Sequence, residues 1–174
     1  SIRGVLDETD TDGLNAVLAD FYSSLQDLSN NDGGVEYASL LRSAAEKVTN
    51  TLNEYASQYL QIKDELSYDL SLSVGNVNTL LTKINDLNGT IAVAALNGTD
   101  CNELKDARNL YLDELSGYMN IAVTNNTNGT VSISSGSGTL LDAATGTVTA
   151  LVVGTGSGGY AVVDGGGNDF AIAD

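Results

Sequence analysis

The sequence contains no histidine, proline or tryptophan, and its only cysteine is Cys101. Without histidine the chain lacks the commonest general base and the commonest metal ligand. A single cysteine excludes an intrachain disulfide and any thiolate cluster. The absence of proline removes the residue that most often ends a helix or blocks a ladder, and favours long uninterrupted elements. Aromatic residues make up 6% of the chain, mostly Tyr, which suits thin packing layers better than one thick core.

Positive charge is also scarce. Seven Lys and Arg face 23 Asp and Glu in 174 residues, for a net charge of −16, and no basic residue follows Arg108. Phosphate backbones and anionic membrane surfaces repel such a chain, so nucleic-acid binding is set aside. No apolar run reaches the length of a membrane span, and the N-terminus does not have the form of a signal peptide. The chain begins at Ser1 without an initiating methionine, which reads as a piece of something longer.

What is present is 42% hydrophobic residues, enough for a real core, and a sharp change of composition near Gly117. Residues 1–117 carry 19 acidic and 7 basic side chains and 8 of the 19 glycines; residues 118–174 carry 4 acidic, none basic and 11 glycines. A boundary there gives a helical rod-like domain over 1–117 and a β-rich domain over 118–174 that stops mid-domain. The expected class is α+β: an elongated helical bundle with one very long helix, or a long helical hairpin, then a Gly-rich antiparallel β segment.

The first helix is expected from Gly13 to Leu28, with Asp12 as N-cap and Leu14, Val17, Leu18, Phe21, Leu25 and Leu28 on one face. The main signal follows. Leu41, Ala45, Val48, Leu52, Tyr55, Tyr59, Ile62 and Leu66 are spaced 4, 3, 4, 3, 4, 3, 4, a heptad seam. It continues as Leu70, Val74, Val77, Leu81, Ile84, Leu87 and Ile91, but the spacing from Ile62 to Val74 is 4, 4, 4. That slip changes the supercoil locally. With Gly75 beside it, a bend or a change of partner is expected there, and a helical hairpin breaking near Gly75 is the alternative to one long helix. A helix from Val35 to Ala94 would be roughly 90 Å long. The seam Leu41–Leu66 is expected to leave apolar surface exposed and to promote self-association.

Asn97-Gly98-Thr99-Asp100 reads as a turn, with Asp100 and Glu103 at capping-box spacing before a third helix ending at Ser116 and Gly117. Leu104, Tyr111, Leu112 and Leu115 give that helix an apolar side. From Tyr118 the period becomes two. Ile121 and Val123 alternate with small or polar residues, Asn128-Gly129 signals a two-residue hairpin, and residues 130–134 form the returning strand. Further strands are expected at 147–153, 160–163 and 170–172.

Several motifs have plainer readings. Residues 154–159 match G-x-G-x-x-G, but dinucleotide binding needs a helix directly after the glycines, and the strand-like Tyr160-Ala161-Val162-Val163 follows. Glu8, Asp10, Asp12 and Gly13 sit at calcium-loop spacing, yet Ala19 stands where the bidentate Glu belongs. Residues 165–169 resemble a calcium-binding glycine repeat that occurs only once, so a turn is expected. Asn-x-Ser/Thr sequences at Asn88, Asn97, Asn125 and Asn128 read as turn chemistry except at Asn88. Cys101 has no base to activate it, and Tyr55 and Tyr59 read as packing residues. The chain is therefore expected to have no catalytic, cofactor-binding or metal-binding residues and no small-molecule substrate.

The order of these segments resembles a known family. Gly13-Leu14-Asn15 with residues 21–31 (FYSSLQDLSNN), residues 77–91 (VNTLLTKINDLNGTI) and the third helix, residues 102–109 (NELKDARN) through Leu112-Asp113-Glu114-Leu115-Ser116, are similar to the flagellar hook-associated protein 1 family. Ile121-Ala122-Val123 and residues 129–133 fit its first strands. The resemblance covers residues 5–135, and the third helix is its most specific part. Two departures stand out: Asp32-Gly33-Gly34 where the family usually has a proline, and Asn109 where it often has Asp.

The resemblance implies a non-enzymatic structural subunit of the bacterial flagellum, extracellular after type III export, at the hook–filament junction. Implied partners are identical subunits, the hook protein and the distal junction protein. It also implies terminal helical segments that pack against the long helix. A flagellin-like subunit or a coiled-coil adhesin is the alternative.

Overall fold

A computed structural model describes residues 13–31, 33–136, 138–156, 159–167 and 169–170. Three helices come first: α1 (Leu14–Asn30), α2 (Val35–Leu96) and α3 (Asn102–Ser116). Seven strands follow: β1 (Ala122–Asn125), β2 (Val131–Ser135), β3 (Gly138–Asp142), β4 (Thr147–Val148), β5 (Leu151–Gly156), β6 (Gly159–Asp164) and β7 (Asp169–Phe170). The helix-to-strand switch falls near Gly117. Packing divides the chain elsewhere, into compact units Ser1–Leu66 and Ser67–Asp174. The division lies inside the heptad slip.

In the first unit α1 buries Val17 and keeps Leu14, Leu18, Phe21 and Leu28 half-buried, whereas Leu25, expected on the same face, is exposed. Its N-cap is Gly13, which makes no side-chain cap bond. Asp12, Glu8 and Asp10, and with them the acidic loop, lie outside the described residues. Asp20, Ser23 and Ser24 of α1 border a shallow groove with Leu40, Ala44 and Lys47 of α2.

In the second unit α2 runs through Gly75 without a break, as the single long helix requires, and the helical-hairpin alternative does not form. The glycine sits in an exposed position with open space around it, where it lowers helix propensity by about 1 kcal/mol, too little to interrupt a helix packed on both sides of it. Serine and threonine hydroxyls bond back to carbonyls four residues earlier, as Thr79 does to Gly75 at 2.8 Å and Thr82 to Asn78 at 2.9 Å, and so stay satisfied within the helix. The helix ends in a Schellman motif: Gly98 (φ 64) donates to Ala95, and Thr99 donates to Ala94.

α3 starts one residue later than a capping box would place it. Cys101 is the N-cap, and Asp100 accepts from the Asn102 backbone and side chain at 3.2 and 3.0 Å. The short Asp side chain closes a local turn instead of reaching the third helical amide. Gly117 ends the helix with φ −72, so its left-handed freedom is not used.

The strands form two antiparallel sheets, β1-β2-β3-β4 and β5-β6-β7. β2 alternates, burying Val131, Ile133 and Ser135, whereas all four residues of β1 are exposed, including Val123. A register shift at Ile133/Ser134 accompanies the burial of both Leu140 and Leu141 in β3, as a bulge re-aims adjacent side chains. One core joins Val74, Val77, Leu81 and Ile84 of α2, Leu115 of α3, the sheet-facing Val131, Ile133 and Leu141, and Leu151, Val162 and Phe170 of the second sheet.

The described glycines of the G-x-G-x-x-G stretch lie in the antiparallel strands β5 and β6, with Gly156 opposite Gly159. Gly167 (φ 82) turns the chain from β6 to β7, its N–H donating to Asp164. At Gly138 any Cβ would enter the ring of Phe170, so an aromatic side chain from the second sheet rests directly on first-sheet backbone. Gly138→Ala is expected to cost about 1–3 kcal/mol by overpacking. Phe170→Leu in the same chain is expected to recover part of that, because contacting sites do not add. Urea melts of both chains measure it, and an unchanged midpoint for Gly138→Ala would mean the ring moves aside freely.

Candidate functional site

Two features of α2 stand out, one in each unit. In the first unit the heptad seam is only half covered. Leu41, Val48, Tyr55 and Ile62 are half-buried, but the alternating seam positions Leu52, Tyr59 and Leu66 are 48%, 58% and 58% exposed. Leu60 lies beside them at 55%. These residues form one stripe: they recur every seven residues, with Ala56 and Leu60 on the adjoining rows. A single exposed Leu means little, whereas a line of them is an unpartnered packing face.

The second feature is polar and buried. Asn88 is 3% exposed within the apolar stripe and Arg108 is 4% exposed on α3. The Asn88 side chain donates to the Val131 carbonyl at 2.8 Å and accepts from the Val131 N–H at 3.0 Å. Arg108 Nη1 donates to Asn88 Oδ1 at 3.2 Å and to the Gly129 carbonyl at 2.7 Å. Both acceptors are neutral amide oxygens, and Arg108 Nε is buried without a partner. Burial lowers the Arg108 pKa from its ordinary value, and nearby Cys101 partly opposes that.

The hairpin tip is shaped to meet this pair. The turn is not the expected two-residue form but a three-residue loop, Thr127-Asn128-Gly129, closed by Asn126 N–H to Thr130 O at 2.9 Å. Gly129 takes φ 82, as the last residue of such a loop requires. The Asn128 side chain accepts from the Thr130 hydroxyl at 2.7 Å.

The sequence motifs resolve accordingly. Asn88, the one glycosylation sequon not read as a turn, is a buried helical residue and inaccessible to modification. Cys101 is buried at the start of α3. Among the described residues no group of three or more His, Cys, Asp or Glu side chains could hold a metal ion. No described helix is long and apolar enough to cross a membrane.

The family model for the flagellar hook-associated protein FlgK helical domain matches residues 1–171. The chain belongs to the FlgK family of flagellar hook-associated proteins. Within that family it is 37% identical over 139 residues to the flagellar hook-associated protein 1 of Bacillus subtilis (strain 168), covering 80% of this chain and 27% of that protein. Its fold is that of the flagellar hook junction protein FlgK from Burkholderia pseudomallei, with a TM-score of 0.78 at 21% identity over 94% of this chain and 29% of the other. The chain therefore spans just over a quarter of the length of the FlgK relatives it matches. FlgK membership sets aside the flagellin-like and adhesin alternatives.

Two outcomes test this geometry. Replacing Leu52, Tyr59 and Leu66 together with Gln is expected to change stability by no more than about 0.5 kcal/mol per site while weakening self-association in sedimentation velocity. A large stability loss would mean the stripe is covered within the monomer. Arg108→Ala is expected to cost about 1–3 kcal/mol by leaving the Gly129 carbonyl without its donor. A guanidinium stays protonated in proteins, so the cost of burying its charge does not change between pH 5 and pH 8. The Arg108→Ala loss should therefore be the same in urea melts at pH 5 and pH 8, and a marked difference would point to a titrating partner.

Proposed function

We propose that the chain is part of a structural subunit joining the hook of the bacterial flagellum to its filament, acting through packing between subunits and not through catalysis. The observation that carries this reading is the FlgK family match over residues 1–171. The exposed stripe Leu52–Tyr59–Leu66 on α2 supports it, because a filament subunit needs helical faces reserved for neighbours. The proposed partners are identical subunits, the flagellar hook protein and the distal junction protein, at an extracellular position reached by type III export.

In this reading helical segments of the longer protein or of a neighbour cover the stripe, burying each Leu side chain for about 1.5–3 kcal/mol. Residues 1–117 serve subunit packing, and residues 118–174 begin an outward-facing part. Such a role needs side chains that fit, not side chains that react.

The test uses the full-length gene in its flagellated host. Deletion is expected to abolish swimming while hooks persist, and normal motility would overturn the reading. A gene carrying Leu52→Asp, Tyr59→Asp and Leu66→Asp is expected to give hooks without filaments in electron micrographs. Ordinary filaments from that gene would remove the stripe from the junction.

A further inference from the structure

Asn78 and Asn88 lie ten residues apart on α2, and each makes the same pair of bonds to the first residue of a strand. Asn78 Nδ2 donates to the Leu151 carbonyl at 2.8 Å and Asn78 Oδ1 accepts from the Leu151 N–H at 2.9 Å. Asn88 does likewise with Val131 at 2.8 and 3.0 Å. One residue exchanging both an N–H and a C=O bond with its neighbour is the hydrogen-bonded pair of an antiparallel ladder. A primary amide carries the donor and the acceptor needed to stand in for that neighbour.

Each strand is paired on one side at that point, and among the described residues neither has a strand partner on the other. Among the described residues β5 is an edge strand, with β6 as its neighbour. Val131 pairs with Asn125 of β1, and the β2–β3 pairing begins at Ile133. Each asparagine thus fills a vacancy in a ladder with a helical side chain. Both strand residues are core residues, Val131 1% and Leu151 2% exposed, so water does not reach these peptide groups freely and a missing partner would be costly.

We infer that Asn78 and Asn88 are register-determining clamps, by which α2 fixes where each of the two sheets starts. A two-point contact rejects slippage. Shifting a strand by one residue would offer the amide a residue whose N–H and C=O point to the other side of the strand, and would turn the buried side chains outward. Arg108 positions the Asn88 clamp by donating to Oδ1, which holds the amide with its oxygen toward the Val131 N–H. This inference rests on the geometry of residues 67–174 and stands apart from the flagellar reading.

Amide hydrogen exchange on the full chain tests it, read at Val131 and Leu151 in Asn88→Ala, Asn78→Ala, Asn88→Asp and Asn78→Asp. Asn88→Ala is expected to speed exchange at Val131 by about tenfold or more while Leu151 keeps its protection, and Asn78→Ala the reverse. Each Asp variant retains the acceptor for the strand N–H and is expected to keep most of the protection that Ala loses. A folded Ala variant with unchanged exchange at its own strand start would overturn the inference, as would equal acceleration at both amides from either change. Should an Ala variant fail to fold, the Asp variant decides: protection kept at its own strand start supports the clamp, and protection lost at both sites refutes it.

Discussion

A strand that starts inside a core has peptide groups that water cannot serve, and they must find partners among side chains. Much of the second unit follows from how that demand is met at Val131. Asn88 leaves the apolar run of α2 to satisfy it. Arg108 leaves the apolar side of α3 to hold Asn88 and the Gly129 carbonyl. Gly129 in turn has a left-handed φ and lies against Ile91, where a Cβ would come within 3.2 Å of that side chain. Two helices and a hairpin therefore meet at one small polar joint, and the apolar residues around it pack in the only register the joint allows.

The two halves of α2 use one grammar for different ends. Heptad spacing before the slip produces a face that stays half open, with Leu52, Tyr59 and Leu66 near the surface. Heptad spacing after it produces a face closed by α3 and the sheets, with Leu81, Ile84 and Ile91 at 0% exposure. The pattern alone does not distinguish a seam awaiting a partner from one that already has it. What differs is the chain that follows: α3 and the strands supply enough apolar surface to cover the second half.

Much of this was legible in the sequence. The extents of the three helices, the slip, the β character after Tyr118 and the family all rest on periodicity or on quoted segments. The misses have physical causes. A glycine among good helix formers does not break a helix held by tertiary packing, so of the two readings the hairpin at Gly75 was the wrong one. β3 went unseen because the bulge beside it buries Leu140 and Leu141 in succession, which erases alternation. Asn-Gly suggested the shortest hairpin, but the Arg108 bond and the Asn128–Thr130 contact select a longer loop. The polar joint had a readable signal: Val77, Leu81, Ile84, Asn88 and Ile91 keep strict 4, 3, 4, 3 spacing, and Leu104, Arg108, Tyr111 and Leu115 share one face of α3. Following apolar identity led the stripe through Leu87, whereas the spacing pointed to Asn88. A lone polar residue at a seam position commonly specifies register.

The neutral character of the acceptors around Arg108 has a further consequence. Dissolved ions screen charge–charge attraction over about 8–10 Å at physiological strength, but they have little hold on an amide–amide or guanidinium–carbonyl bond sealed from solvent. With a net charge of −16, the outer surface responds strongly to the ionic medium, and repulsion between neighbouring copies falls as salt rises. The interior joint does not share that response. The medium can thus tune how closely copies approach one another while the body each copy presents stays the same.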